Sequence, residues 1–143
     1  MKDIEVYDAQ RFILGGKAEF TIENLKSKVS YKYKVVQSDK NPQIFFVRVA
    51  ESTSFEYAGF FTLNGIVTYG KGKKGTRDAN DPAIRGLLWA LKKGHNGLPR
   101  PMIMFHHGRC ACCGKKLNDP ESVQRGIGPV CWERVMNKEA AMA

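Results

Sequence analysis

The sequence predicts an α+β protein: an antiparallel sheet of about five strands in a meander, one packed helix, and a small cysteine-anchored unit after them. Three observations carry this expectation. From Lys17 to Tyr69 apolar residues recur with a period of two, in runs of strand length separated by turn residues. From Pro82 to Lys93 the period becomes that of a helix. All four cysteines fall between positions 110 and 131, and none stands in the first 109 residues.

Ile4 to Leu14 fits either kind of element; Asp3 would cap a short helix that Gly15-Gly16 ends. Ala18, Phe20 and Ile22 then face one way, and Lys17, Glu19, Thr21 and Glu23 the other. Asn24 to Ser27 turn the chain. Val29, Tyr31, Tyr33 and Val35 form a second apolar face, opposite Lys28, Ser30, Lys32 and Lys34. This reads as an antiparallel hairpin with one wet side. Gln43 to Ala50 is denser, with Ile44, Phe45, Phe46, Val47 and Val49 leaving little polar face. It predicts a central strand covered on both sides. Phe55 to Leu63 is the next strand. Asn64-Gly65 supplies the two positive-φ positions of a tight hairpin, and Ile66, Val67 and Tyr69 return.

Gly70 to Arg77 reads Gly-Lys-Gly-Lys-Lys-Gly-Thr-Arg. It lacks the Lys-[Ser/Thr] ending and the strand-to-helix setting of a nucleotide phosphate loop. We read it as a mobile basic loop that touches a phosphate backbone, with a merely solvated loop as the bland alternative. Asp81-Pro82 opens a helix as N-cap and first position. Ile84, Leu87, Leu88 and Leu91 form its core stripe, Lys92 and Lys93 suit its negative end, and Gly94 stops it. Pro99-Arg100-Pro101 is a stiff connector, so the expected division is 1–100 for sheet and helix and 101–143 for a unit packed on it. Met102 to Phe105 is a short strand that delivers His106.

Cys110 and Cys113 form a Cys-x2-Cys pair followed by Gly114, the pattern of a knuckle that points two thiolates at one cation. Cys131 follows Gly128-Pro129 and lies in the first turn of the next helix, where the dipole favours a thiolate. Two ligands from a knuckle and one from a helix start make a treble-clef-like zinc site. A closed tetrahedron needs a fourth ligand, for which His106, His107, Cys112 and water are the candidates. Ordinary buried thiols are the bland reading, and the cysteine clustering argues against it. Asp119 to Ser122 begins a short helix between the ligands, and the tail from Asn137 is expected to fray.

The pattern His106-x-Gly108-Arg109-Cys110-x-x-Cys113-Gly114-Lys115-x-Leu117-x-Asp119-Pro120-Glu121-Ser122, then Gly126-Ile127-Gly128-Pro129-x-Cys131, resembles a family of small phage and bacterial zinc-knuckle proteins of unknown function (DUF6011-like). The resemblance covers about a fifth of the chain. Its upstream strands and apolar helix look loosely like those of the phage members. The resemblance implies zinc and a phage or prophage setting. It also implies His106 as the fourth ligand beside Cys110, Cys113 and Cys131, because a histidine often stands four residues before the first cysteine in such relatives. It supplies no activity.

The 143 residues suit one domain with a modest extension. At 43% hydrophobic and 26% charged the chain is globular. No signal peptide and no spanning segment is read, and reduced cysteines fit the cytoplasm, that of the host for a phage-encoded chain. Lysine and arginine total 23 against 14 acidic residues, a net charge of +9. This favours a polyanion partner, single-stranded or non-specific nucleic acid, through Lys71, Lys73, Lys74 and Arg77 in the loop and Arg109, Lys115, Lys116 and Arg125 around the metal. Tyr and Phe on neighbouring strands would allow a single-strand groove with stacking rings, with core packing as their bland reading. An acidic surface of a host protein is the alternative partner. Catalysis is not expected. A histidine–metal nuclease would need a further Asn and His on a following helix, and no His follows Cys131.

Overall fold

The structure is a computed structural model that describes residues 4–94 and 97–142. In chain order it contains β1 (Ile4–Glu5), α1 (Ala9–Ile13), β2 (Lys17–Asn24), β3 (Ser30–Gln37), β4 (Ile44–Ala50), β5 (Glu56–Asn64) and β6 (Ile66–Gly70). There follow α2 (Pro82–Lys93), β7 (Met102–His106), α3 (Pro120–Arg125) and α4 (Pro129–Met142). The sheet is antiparallel throughout, in the order β1-β7-β2-β3-β4-β5-β6. The expected five-strand meander is β2 to β6. The other two strands extend it at the β2 edge, so the sheet has seven strands rather than five.

β7 pairs with β2 from Phe20↔His106 to Asn24↔Met102, and β1 then pairs with β7. The boundary expected after residue 100 therefore runs through one continuous sheet. Asp3, expected as a helix cap, lies outside the described residues. The helix begins later, with Asp8 accepting the N–H of Arg11 at 3.0 Å. α4 continues to Met142 where fraying was expected. Its alanines favour a helix, and Glu139 pairs with Arg11 at 2.7 Å.

Period-two alternation sends Ala18, Phe20 and Ile22, Tyr33 and Val35, and Phe45, Val47 and Val49 to one buried face. α2 covers that face with Ala83, Ile84, Leu87, Ala90 and Leu91, and α1 adds Phe12 and Ile13. Asp81 caps α2 by accepting the N–H of Ala83 at 2.9 Å. The Tyr33 hydroxyl reaches across the core to donate to the Ala83 carbonyl at 2.8 Å. The core runs on without a break into Cys110, Ala111, Leu117 and Ile127.

The opposite face is open, which corrects the expectation for β4. Phe46 is 40% exposed and Arg48 is exposed, while Phe45, Val47 and Val49 are buried. All the helical cover goes to one side because the solvent-facing positions of β2 and β3 are lysine- and glutamate-rich. A register shift at Val47/Arg48 pairs Val47 with Gly59 and Arg48 with Tyr57, leaving Ala58 as the extra residue of a bulge. No helix among the described residues is long and apolar enough to cross a membrane.

Candidate metal centre

The turn at residues 110–114 is closed by its own backbone. Gly114 donates to the Cys110 carbonyl at 2.9 Å, and Cys110 donates to the Lys115 carbonyl at 2.8 Å. Gly114 sits at φ 78°, a conformation glycine takes freely. Two further bonds fix the knuckle to the rest of the molecule. Lys17 donates to the Ala111 carbonyl at 2.7 Å, and Ala111 donates to the Gly126 carbonyl at 2.9 Å. One joins the knuckle to β2, the other to the end of α3.

α3 is capped at its start by Asp119, which accepts from the N–H and hydroxyl of Ser122 at 3.1 and 2.9 Å. At its end Gly126 takes φ 77° with its N–H on the Ser122 carbonyl. A Cβ at Gly126 would lie 2.6 Å from Cδ2 of Phe12, so glycine is required there by space as well as by φ. This turn sets up Gly128 and Pro129, and with them the first turn of α4, which carries Cys131.

The result is a cluster of Cys110, Cys113 and Cys131, whose sulfurs all lie within 4.8 Å of one another. Three thiolates on one tetrahedral cation stand roughly 4 Å apart, given metal–sulfur bonds of about 2.3 Å. All four cysteines are free thiols. Cys110 is buried, and its sulfur accepts backbone N–H groups from Gly128 at 3.3 Å and Cys112 at 3.4 Å. The Cys112 thiol, together with those N–H groups and that of Cys113, outweighs burial and holds the Cys110 pKa down to about 4. Burial first, then the neighbouring Cys113 thiol, pushes Cys131 up to about 11. A bound cation would reverse that, because a coordinating thiol is deprotonated. The donor set therefore fits a metal ion of thiolate preference. Beside it opens a cleft of about 400 Å³, reached by Lys115, Lys116, Asn118, Asp119 and Arg134.

His106 stands outside the cluster, and this corrects the expected fourth ligand. It is wholly buried at the end of β7, with its ring stacked on Phe12 at 5.5 Å. Its Nδ1 accepts the N–H of Gly108 at 3.0 Å, and its Nε2 meets the Val123 carbonyl at 2.6 Å. The first bond needs a lone pair and the second a proton, so the ring is the neutral Nε2–H tautomer with both nitrogens engaged. Burial lowers its pKa. His107 points to the open face of the sheet, with Nε2 3.0 Å from the Thr21 hydroxyl. Among the described residues the metal cluster is cysteine only.

The basic residues separate into two kinds. Lys71, Lys73 and Lys74 are exposed and line a cleft of about 900 Å³ on the open face, with Arg48 beside them. Arg77 is turned inward. Its side chain, 12% exposed, meets Asp81 at 3.0 Å, Glu56 at 3.1 Å and Glu51 at 3.6 Å. Arg125 is likewise occupied, 4.9 Å over the Trp132 ring and 3.4 Å from the Ile127 carbonyl. Arg109 is exposed and donates to the Gly114 carbonyl of the knuckle at 3.2 Å. Lys115 and Lys116 are exposed at the metal cleft. The loop follows β6 and the metal cluster follows β7, strands on opposite sides of the sheet order.

A groove with stacking rings was open to the sequence through Tyr and Phe on neighbouring strands, but the particular rings that floor the larger cleft, Phe46, Tyr57 and Phe60, were not singled out. The signal for Phe46 is the alternation Ile44-Phe46-Arg48 within the dense β4 run, since a charged residue in phase with Phe46 marks a wet face.

No curated protein and no solved structure matches the chain. Residues 105–136, which hold the whole cysteine cluster, match the model of DUF6011, described as a family of unknown function.

Proposed function

We propose that this chain is a non-catalytic, zinc-binding accessory protein of phage type that binds nucleic acid through basic surfaces, in the cytoplasm of the cell that holds it. The observation that carries the reading is the cleft beside Lys71, Lys73, Lys74 and Arg48. Ten residues line it and none is acidic. None of the three lysines takes part in an ion pair among the described residues. Cations grouped without carboxylates on an open surface suit a polyanion.

Zinc fits Cys110, Cys113 and Cys131 in a treble-clef-like arrangement, with two ligands from the knuckle and one from the start of α4. When bound it supplies a crosslink between these two segments. The chain's own part is to hold the three sulfurs together and to stabilise the Cys110 thiolate with N–H donors. Cys110, Cys113 and Cys131 line the small cleft, so a fourth ligand such as water would enter from there. An open position is also what a catalytic zinc needs. The cleft's side chains argue against that use. Its one carboxylate, Asp119, is engaged in capping α3, and the other charged groups there are Lys115, Lys116 and Arg134.

The test is a titration of labelled single strand and duplex at low salt with the metal-loaded protein. Saturable binding of either supports the reading. Binding of neither overturns it and shifts the +9 charge to an acidic protein surface as its partner.

A further inference from the structure

We infer that the open face of the sheet is a stacking platform for the bases of a single-stranded nucleic acid. The inference rests on the reading just given and specifies which nucleic acid the cleft takes and how.

The floor of the cleft is a cross-strand row. Val36 pairs with Phe46, Phe46 with Phe60, and Phe60 with Gly70, all facing outward. Neighbouring strands stand about 4.8 Å apart, so the three apolar side chains cover roughly 10 Å. Tyr57 joins them, its ring centroid 6.5 Å from that of Phe46 and tilted by 54°. The Phe60 ring lies across Gly70 and Gly72, where a Cβ would come within 2.8 and 3.3 Å of it. Those two glycines leave the ring its place and let the basic loop start directly beside it.

The loop is tied down at its far end. Thr76 donates its N–H to the Ala58 carbonyl at 3.1 Å and its hydroxyl to the Tyr57 carbonyl at 2.9 Å. Arg77 donates its N–H to the Ala58 carbonyl at 3.2 Å. The Tyr69 hydroxyl bridges the carbonyls of Ala58 and Arg77 at 2.9 and 2.7 Å. The β5 bulge thus anchors the end of the loop and keeps Lys71, Lys73 and Lys74 at the rim of the aromatic floor.

A partner for this surface needs flat apolar faces and closely spaced negative charges on one flexible backbone. A single strand offers both. A duplex keeps its base faces inside the stack and offers phosphates alone, and an acidic peptide offers charge without the flat faces. Exposure of Phe46 and Val36, 40% each, beside exposed lysines is the complement of the first. Any base has a face to stack, so no sequence preference follows.

The experiment uses the intact metal-loaded protein and three labelled probes at low salt: an oligothymidine of about 12 nucleotides, an abasic strand of the same length, and a duplex. The variant Phe46→Leu/Phe60→Leu keeps apolar volume and removes both rings, with thermal melting and metal content as checks on folding. We expect the abasic strand and the duplex to bind at least about 10-fold more weakly than oligothymidine. The variant loses at least about 10-fold for oligothymidine while keeping its affinity for the other two. Equal binding of oligothymidine and the abasic strand overturns the platform and leaves a phosphate-only surface, as does an unchanged double variant. Binding of no probe overturns the nucleic-acid reading itself. Should the double variant not fold, the abasic comparison on the wild-type chain decides.

Discussion

The backbone N–H of Gly108 points at Nδ1 of His106, 3.0 Å away, and so makes that nitrogen an acceptor and Nε2 the proton carrier. A histidine held in this way is a structural joint between β7, the knuckle and α3. His106→Ala is expected to keep stoichiometric metal. It would strand the Val123 carbonyl and the Gly108 N–H and leave a cavity beside Phe12, costing about 3 kcal/mol. Metal analysis and denaturant unfolding of the variant check both parts, and loss of metal alone would restore His106 as a ligand.

The same geometry sets a pH dependence. Burial lowers the His106 pKa in the folded chain, so the unfolded chain takes up the proton first as pH falls through about 6.5. The contribution is complete above that value and is lost as pH drops toward the lowered folded pKa. His106→Gln keeps an amide donor and acceptor but does not titrate. The wild type should lose more stability than His106→Gln between about pH 7 and 5. Thiolate protonation acts on both proteins alike, so the difference in unfolding midpoints isolates the histidine.

Cys110→Ser, Cys113→Ser and Cys131→Ser should each abolish tight metal binding, because each removes one sulfur of the three-membered cluster. Cys112→Ser should retain it, since a serine hydroxyl can still donate toward the Cys110 sulfur. Native mass spectrometry of the four variants distinguishes these outcomes. Metal loss on Cys112→Ser would make Cys112 the fourth ligand.

Arg77 is a clamp between the loop, β5 and the α2 cap. Removing it unpairs Asp81, Glu56 and Glu51 together. Arg77→Ala is expected to destabilise the fold by about 1 kcal/mol, since its pair with Asp81 is mostly buried while Glu56 and Glu51 are screened by solvent. The salt dependence of nucleic-acid binding should not change by more than the charge lost. Thermal melts beside binding titrations separate the two effects.

Much of the sheet was legible because alternation is local: Ala18-Phe20-Ile22 and Asp81-Pro82 announce a strand face and a helix start with no knowledge of the rest. What was hidden depends on contacts distant in sequence. β1 is two residues long and exists only because β7 offers an edge, a pairing between positions about one hundred residues apart. His106 looked like a ligand by spacing, and its distance from the cluster follows from Phe12 and Val123, which no local pattern links to it. Arg77 read as one more cation of a basic loop, and its three carboxylate partners come from three separate segments. The cysteine triad was legible because Cys-x2-Cys and the Gly-Pro before Cys131 each fix a local turn.

Lys71, Lys73 and Lys74 are the cations of the loop left to face solvent once Arg77 is accounted for. If each neutralises one phosphate of a single strand, each releases counterions worth roughly 0.7 in the slope of log K against log salt. Lys71→Ala/Lys73→Ala/Lys74→Ala should therefore flatten the slope by about two. The change should be the same for every base composition, because phosphate contacts carry no sequence information. Stability should hold, since the three side chains are exposed and the bonds that fix the loop come from Thr76, Arg77 and Tyr69. Titrations at four or more salt concentrations give the slope directly. An unaltered slope in the triple variant would move the phosphate contacts to Arg109, Lys115 and Lys116, on the other side of the molecule.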